Sequence, residues 1–107
     1  MASATCVWPL SQTETLEFTV FTENADWNDV PGLYIFSYQD GRSWYAVYVG
    51  QADSFQKRIP GHERLKEAGQ LGATHIHARV VNLQAERNRL EKMLIQRLQP
   101  TLNVQHK

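Results

Sequence analysis

Two apolar, aromatic-rich runs, Leu33 to Tyr38 and Trp44 to Val49, face each other across Gln39-Asp40-Gly41-Arg42-Ser43. Aromatic and β-branched runs of this length favour extended chain, and an Asp-Gly between them signals a hairpin. A hairpin closed there pairs Tyr38 with Trp44, Phe36 with Ala46 and Tyr34 with Tyr48. Side chains alternate along a strand, so Tyr34 and Tyr48 then share one face. Both faces are mostly apolar, so helices are expected to cover the sheet.

Pro31-Gly32 marks the start of this body. Before it, residues 1–15 read as a mobile arm, Leu16 to Phe21 as a short strand, and Asn24 to Asp29 as a loop of turn formers. After it, Asp53 or Ser54 can cap a short helix to Ile59, and Pro60-Gly61 breaks it. His62 to Ala68 can form a second helix with Gly69 as its stop. Thr74 to Val81 alternates, with Ile76, Ala78 and Val80 on one side and His75, His77 and Arg79 on a polar one. Asn82 can cap a last helix from Gln84 to Gln99, with Leu90, Leu94 and Leu98 as its buried stripe. The fold class is α/β (α+β): a small three-stranded antiparallel sheet flanked by helices, with room for one extra N-terminal strand. Residues 1–30 form an acidic N-terminal extension, 31–104 the main domain and 105–107 a tail.

A chain of 107 residues with 42% hydrophobic content suits one domain with one core. Its single cysteine, Cys6, has no internal disulfide partner and no cysteine neighbour for a zinc site. No signal-peptide pattern opens the chain, and no apolar run approaches the ~18 residues of a membrane span. A reducing, cytoplasmic setting is the expectation.

The formal net charge is zero, but it is unevenly spread. Residues 1–41 carry six acids and no Lys or Arg, whereas residues 42–107 carry all 11 Lys and Arg against five acids. Such asymmetry fits a polyanion-binding portion, and equally fits two halves that neutralise each other. Lys57, Arg64, Lys66 and Arg87, with Arg79 and Arg89, are placed to follow a nucleic-acid backbone. His75 and His77 lack a carboxylate or cysteine at ligand spacing, so they read as a polar strand face. No helix-turn-helix, zinc finger or basic arm is present to read sequence.

Cutting a phosphodiester needs a group that takes a proton from water, a cation on the phosphate and help for the leaving oxygen. Gly32-Leu33-Tyr34 and Tyr48-Val49-Gly50 resemble the two motifs of the GIY-YIG nucleases. Arg58 follows Tyr48 by ten residues and His62 follows Arg58 by four. The stretch from Gly50 to Arg58 is similar to that in the cutting half of the bacterial excision-repair nuclease, a DNA-repair member. Leu90-Glu91-Lys92-Met93-Leu94-Ile95, with Pro100 and Asn103, is similar to the family's glutamate helix and following asparagine. The resemblance covers about residues 31–104.

The resemblance implies a role for each position. Glu91 is the one protein ligand of a divalent ion, Mg2+ or Mn2+, with waters and phosphate completing the shell. Without it, Glu91 reads as a helix glutamate paired with Arg87. Tyr34 is general base or orients the attacking water. As a base it requires a nearby cation, because free tyrosine titrates near ~10. Tyr48 sits beside it. Arg58 clamps the phosphate. His62 shares the base role or contacts the phosphate. Asn103 joins the nucleic-acid-contacting set, chiefly by fixing the chain after the helix. Tyr38 and Tyr45 are assigned packing only.

The implied function is a metal-dependent endonuclease on DNA, selecting structure rather than sequence, with RNA left open as substrate. A lysine often follows the second motif, and here it is Gln51. That departure supports an alternative: a nucleic-acid-binding or regulatory module that kept the fold without cutting. A third expectation is a subunit activated by a protein partner docked on the acidic N-terminal region.

Overall fold

Aromatic and β-branched residues crowd the N-terminal half, and the computed structural model shows four strands there, with a fifth later. It describes residues 4–104; residues 1–3 and the expected tail, 105–107, lie outside the described residues. The strands are β1 (Thr5–Pro9), β2 (Thr15–Thr22), β3 (Gly32–Asp40), β4 (Ser43–Ala52) and β5 (His75–Val80). They form one antiparallel sheet in the order β1-β2-β5-β3-β4. The helices are α1 (Phe55–Arg58), α2 (Glu63–Gln70), α3 (Gln84–Leu98) and α4 (Thr101–Val104). No helix among the described residues is long and apolar enough to cross a membrane.

The expected sheet of three strands, with room for a fourth, has five. The segment read as a mobile arm contributes β1, and Trp8 and Leu10 are buried. Trp8 packs with Phe18, Leu33, Ile35, Val49, Leu90 and Leu94, so the N-terminal strands share the core between sheet and α3. The opposite face holds Tyr34, Phe36, Phe55, Ile59, Ile76 and Leu102 beneath the shorter helices. Burying such side chains stabilises by about 1.5–3 kcal/mol each, which explains the two-sided cover.

The β3–β4 hairpin forms with a register different from the regular one. A bulge leaves Val47 unpaired, so Tyr38 faces Tyr45, Phe36 faces Tyr48 and Tyr34 faces Gly50. The extra residue shifts the pairing while returning both tyrosines to one face. Their ring centres are 6.3 Å apart.

Local chemistry fixes the helices. Ser54 caps α1, accepting from the Lys57 N–H at 3.3 Å. Gly69 lies inside α2, which continues to Gln70, and the chain turns away through Gly72 at φ +99°. Leu83, not Asn82, stands at the start of α3 and offers no side-chain cap. Arg87, buried one turn inside, instead donates to the Val81 and Asn82 carbonyls, each at 3.0 Å. At the far end Gln99 adopts a left-handed conformation (φ 48°) and Pro100 prevents continuation.

The polar face expected on β5 is covered at its centre, while Arg79 stays exposed. His77 is fully buried, accepting at Nδ1 from the Trp8 indole N–H at 2.8 Å, with the Trp44 ring centred 4.5 Å away. β1 and Trp44 supply this cover. Val80, expected on the buried side, is exposed near the end of β5.

Candidate active site

Tyr34 lies on β3, between β5 and the edge strand β4, fully buried over a glycine. A Cβ at Gly50 would stand 2.5 Å from both Cζ and Oη of Tyr34. Close approach of the ring, rather than backbone freedom, therefore requires glycine there. The Tyr34 oxygen sits 2.7 Å from Nε2 of His62, the residue that caps α2. The other ring nitrogen, Nδ1, accepts from the Arg64 N–H at 2.9 Å. A nitrogen that accepts carries no proton, so the neutral ring holds its proton on Nε2 and donates it to Tyr34. Burial, then the Arg58 charge, lowers the His62 pKa to about 4, so this neutral form persists at pH 7. Tyr34 thus keeps its own phenol proton.

Burial raises the Tyr34 pKa, and the neighbouring Tyr48 adds to this, while Arg58 opposes it. Tyr48, half-buried on the same face, is raised by burial and lowered in part by Arg58. Both are neutral phenols in the free protein. The Glu91 charge reaches both and also disfavours phenolate.

Arg58, at the end of α1, is held by a residue that sequence reasoning missed. Both its terminal nitrogens donate to Glu63, each at 2.8 Å. Glu63 follows the His62 cap as the first residue of α2, and Arg58 holds its carboxyl down at about 2. The pair is solvent-exposed, with 41% and 64% of the side chains accessible, so its net strength is small. The signal that could have found it was an acid five residues after a motif arginine, across a Pro-Gly break.

Glu91 projects half-buried from α3 toward the end of β4. Its partner is Gln51, whose Nε2 donates to Glu91 Oε1 at 3.0 Å and to Asn88 Oδ1 at 2.7 Å. Gln84 Nε2 donates in turn to Gln51 Oε1 at 3.2 Å. The second oxygen of Glu91 has no hydrogen-bond partner among the described residues. No group of three His, Cys, Asp or Glu that could enclose an ion occurs among them either. A half-buried carboxylate with one oxygen fixed and the other open fits a hard cation that keeps most of its waters.

Arg87, expected to pair with Glu91 or to contact nucleic acid, does neither. Besides the two carbonyls it binds Asp53 at 2.8 Å, and only 4% of it is accessible. Too buried to follow a phosphate backbone, it ties α3 to the β4–α1 turn, one helical turn before Glu91. Asn103 is likewise occupied. Its amide donates to the Val49 carbonyl at 2.9 Å and accepts from the Val49 N–H at 2.8 Å. It thereby caps the free edge of β4 as an added strand would. Lys57 and Lys66 are exposed, and Arg64 pairs with Glu67 at 2.6 Å. Tyr34, Tyr48, Arg58 and His62 therefore cluster, and Glu91 lies within their electrostatic reach.

No protein-family model and no curated protein matches this sequence. Solved structures do, and the fold they define is GIY-YIG-like. One is the magnesium-bound N-terminal GIY-YIG endonuclease domain of UvrC from Thermotoga maritima. It is similar with a TM-score of 0.56 at 25% identity, over 70% of this chain and 84% of that one. A tyrosine-to-phenylalanine variant of that domain, bound to its catalytic divalent cation, gives 0.58 at 26% identity over 70% and 83%. An asparagine-to-alanine variant gives 0.57 at 28% identity. These similarities support a metal-dependent nuclease.

Proposed function

We propose that this chain is a divalent-metal-dependent endonuclease that cuts DNA, selecting structure rather than sequence. The observation that carries the reading is the clustering of the Tyr34–His62 pair and Arg58, within electrostatic reach of a carboxylate with one open oxygen. Glu91 would hold Mg2+ or Mn2+ by that oxygen, and the ion would stabilise charge developing on the phosphate. Arg58 exchanges Glu63 for the phosphate, whose oxygens match the same two-pronged donor. His62 orients Tyr34 by donating to it. Tyr34 orients the attacking water, and Tyr48 lines the same approach. As the water oxygen bonds to phosphorus, its proton passes to solvent, since the neutral Tyr34 phenol already carries its own proton and Nε2 of His62 carries another. The P–O bond to the leaving sugar breaks, and that oxygen takes a proton from solvent.

The test is incubation of the chain with branched, single-stranded and duplex DNA, and matched RNA, plus magnesium or manganese, beside Glu91→Ala. Cleavage of a branched DNA by the native chain alone is expected. Equal products from both proteins, or none under any condition, overturn the reading. A second reading rests on the closed Arg58–Glu63 pair and the neutral Gln51: a module that binds nucleic acid without cutting. Salt-sensitive binding with no metal-dependent cleavage favours it.

A further inference from the structure

A cavity of about 350 Å³ lies beside the site, over β2 and β5 on the same face of the sheet as Tyr34. It is built by the N-terminal strands and the loop after them, which the nuclease chemistry above does not use. Its floor is Thr19 and Phe21 from β2 with Ala78 from β5. Trp27 and Phe55 wall it, their ring centres 5.9 Å apart, with Phe21 4.9 Å from Trp27. Asp26 and Asn28 stand exposed at its mouth.

We infer that this cavity takes one unpaired nucleobase from the strand being cut. The inference rests on the nuclease reading and extends it to how the substrate is chosen. The volume is in the range of small-molecule sites, and planar rings with a few polar groups suit a flat heterocycle. Position supports it too. Thr19, Ala78, Tyr34 and Gly50 form one row across the sheet by strand register. Neighbouring strands lie about 4.8 Å apart, so the cavity floor begins one strand from Tyr34. α1 separates the two, with Phe55 in the cavity wall and Arg58 at the phosphate one turn later. A base beside the scissile phosphate therefore reaches the cavity without moving the strand off Arg58.

Charge selects the base rather than the backbone. Glu17 and Asp26 outnumber Arg79 at the rim, and Arg79 Nη1 already donates to the Glu17 carbonyl at 3.0 Å. That rim repels phosphate. Carboxylate and amide oxygens accept from exocyclic amino groups, so cytosine and adenine should be preferred to thymine. A paired base cannot enter, which makes the cavity a sensor of unpaired DNA.

The experiment uses the full chain carrying Glu91→Ala, without metal, and fluorescent single-stranded oligonucleotides with one abasic position moved stepwise. One abasic position should weaken binding by about tenfold, the order that base–aromatic stacking supports. Trp27→Ala should abolish that position dependence and leave the salt dependence unchanged. Should Trp27→Ala not fold, Asp26→Asn in the exposed loop should reduce the preference for cytosine over thymine. Salt-sensitive binding that is indifferent to every abasic position overturns the cavity's role and leaves the nuclease reading standing. Position dependence that survives in a folded Trp27→Ala, or a cytosine preference unchanged in Asp26→Asn, also overturns it. No binding to any oligonucleotide, together with no cleavage by the native chain, overturns both.

Discussion

Arg58 closes both terminal guanidinium nitrogens on Glu63, at 2.8 Å each, and so presents its phosphate-matching face already engaged. A phosphate must displace that carboxylate. Exposed pairs of this kind are weak, so Glu63→Gln should tighten DNA binding only by about a few-fold. Cleavage at subsaturating DNA should rise to match. The titration is made in the Glu91→Ala background and the rates are measured with Glu91 intact. Weaker binding by Glu63→Gln would show that Glu63 orients Arg58 rather than competing for it.

Gly50 and Tyr34 make a second, steric prediction. A Cβ at position 50 meets the Tyr34 ring and hydroxyl at 2.5 Å, so Gly50→Ala must displace the phenol and disturb its hydrogen bond to His62. Overpacking of this kind costs about 1–3 kcal/mol of stability. Cleavage should fall by far more than the melting temperature indicates, because the displaced atom is the one proposed to orient water. Near-native kcat in a folded Gly50→Ala protein would remove Tyr34 from the reaction.

Which parts of this were legible in the sequence follows from the range of the interactions. The hairpin, the last helix and its Leu90 and Leu94 stripe are local patterns, and they appear as expected. The hairpin's register differs because the Val47 bulge has no Gly or Pro to mark it. β1 was missed because Thr5–Pro9 alternates weakly and depends on Trp8 finding His77, 69 residues away. Arg87 reads as a helix-surface cation until Asp53 and two carbonyls, brought in by the fold, bury it. Glu63 was hidden behind a Pro-Gly break. Tyr34, Tyr48, Arg58 and His62 do come together, while Asn103 and Arg87 serve the frame.

Two buried histidines set the acid stability. His62 and His77 both have pKa values lowered to about 4, burial being the larger cause, aided by Arg58 at the first and by His75 at the second. Unfolded, each titrates near ~6.5. Between these values the unfolded chain binds up to two more protons, so stability rises with pH. It should be complete above about pH 6.5 and decline as pH falls toward 4, by a few kcal/mol in all. Denaturant melts at stepped pH measure this. His77→Gln, whose carbonyl oxygen can still accept from Trp8, should remove about half of the slope. A native chain equally stable at pH 4.5 and 7 would contradict it.

The same neutral His62 constrains the reaction. Since it stays unprotonated to about 4, cleavage should show no acid limb near ~6.5. His62→Gln can still place an N–H donor near Tyr34 and should keep more activity than His62→Ala. An inflection near pH 6.5 that vanishes in His62→Gln would make His62 a titrating base instead.

Gln51 and Glu91 separate two explanations of the missing lysine. The Gln51 amide donates to Glu91 Oε1 at 3.0 Å, leaving the other oxygen open and adding no charge beside it. If that bond orients a metal ligand, Gln51→Leu should weaken Mn2+ binding by about tenfold, the lower end for lost outer-shell partners. Paramagnetic resonance of free Mn2+ reads this without any DNA. Gln51→Lys places an ammonium group against the same carboxylate. It should also weaken Mn2+ binding, while adding about one unit to the salt slope of DNA binding through a new phosphate contact. A fall in Mn2+ affinity in Gln51→Leu, which adds no charge, identifies Gln51 as a positioning residue for Glu91. If Mn2+ affinity is unchanged in Gln51→Leu, the hydrogen bond is incidental, and the neutral residue at 51 acts only through the charge it lacks.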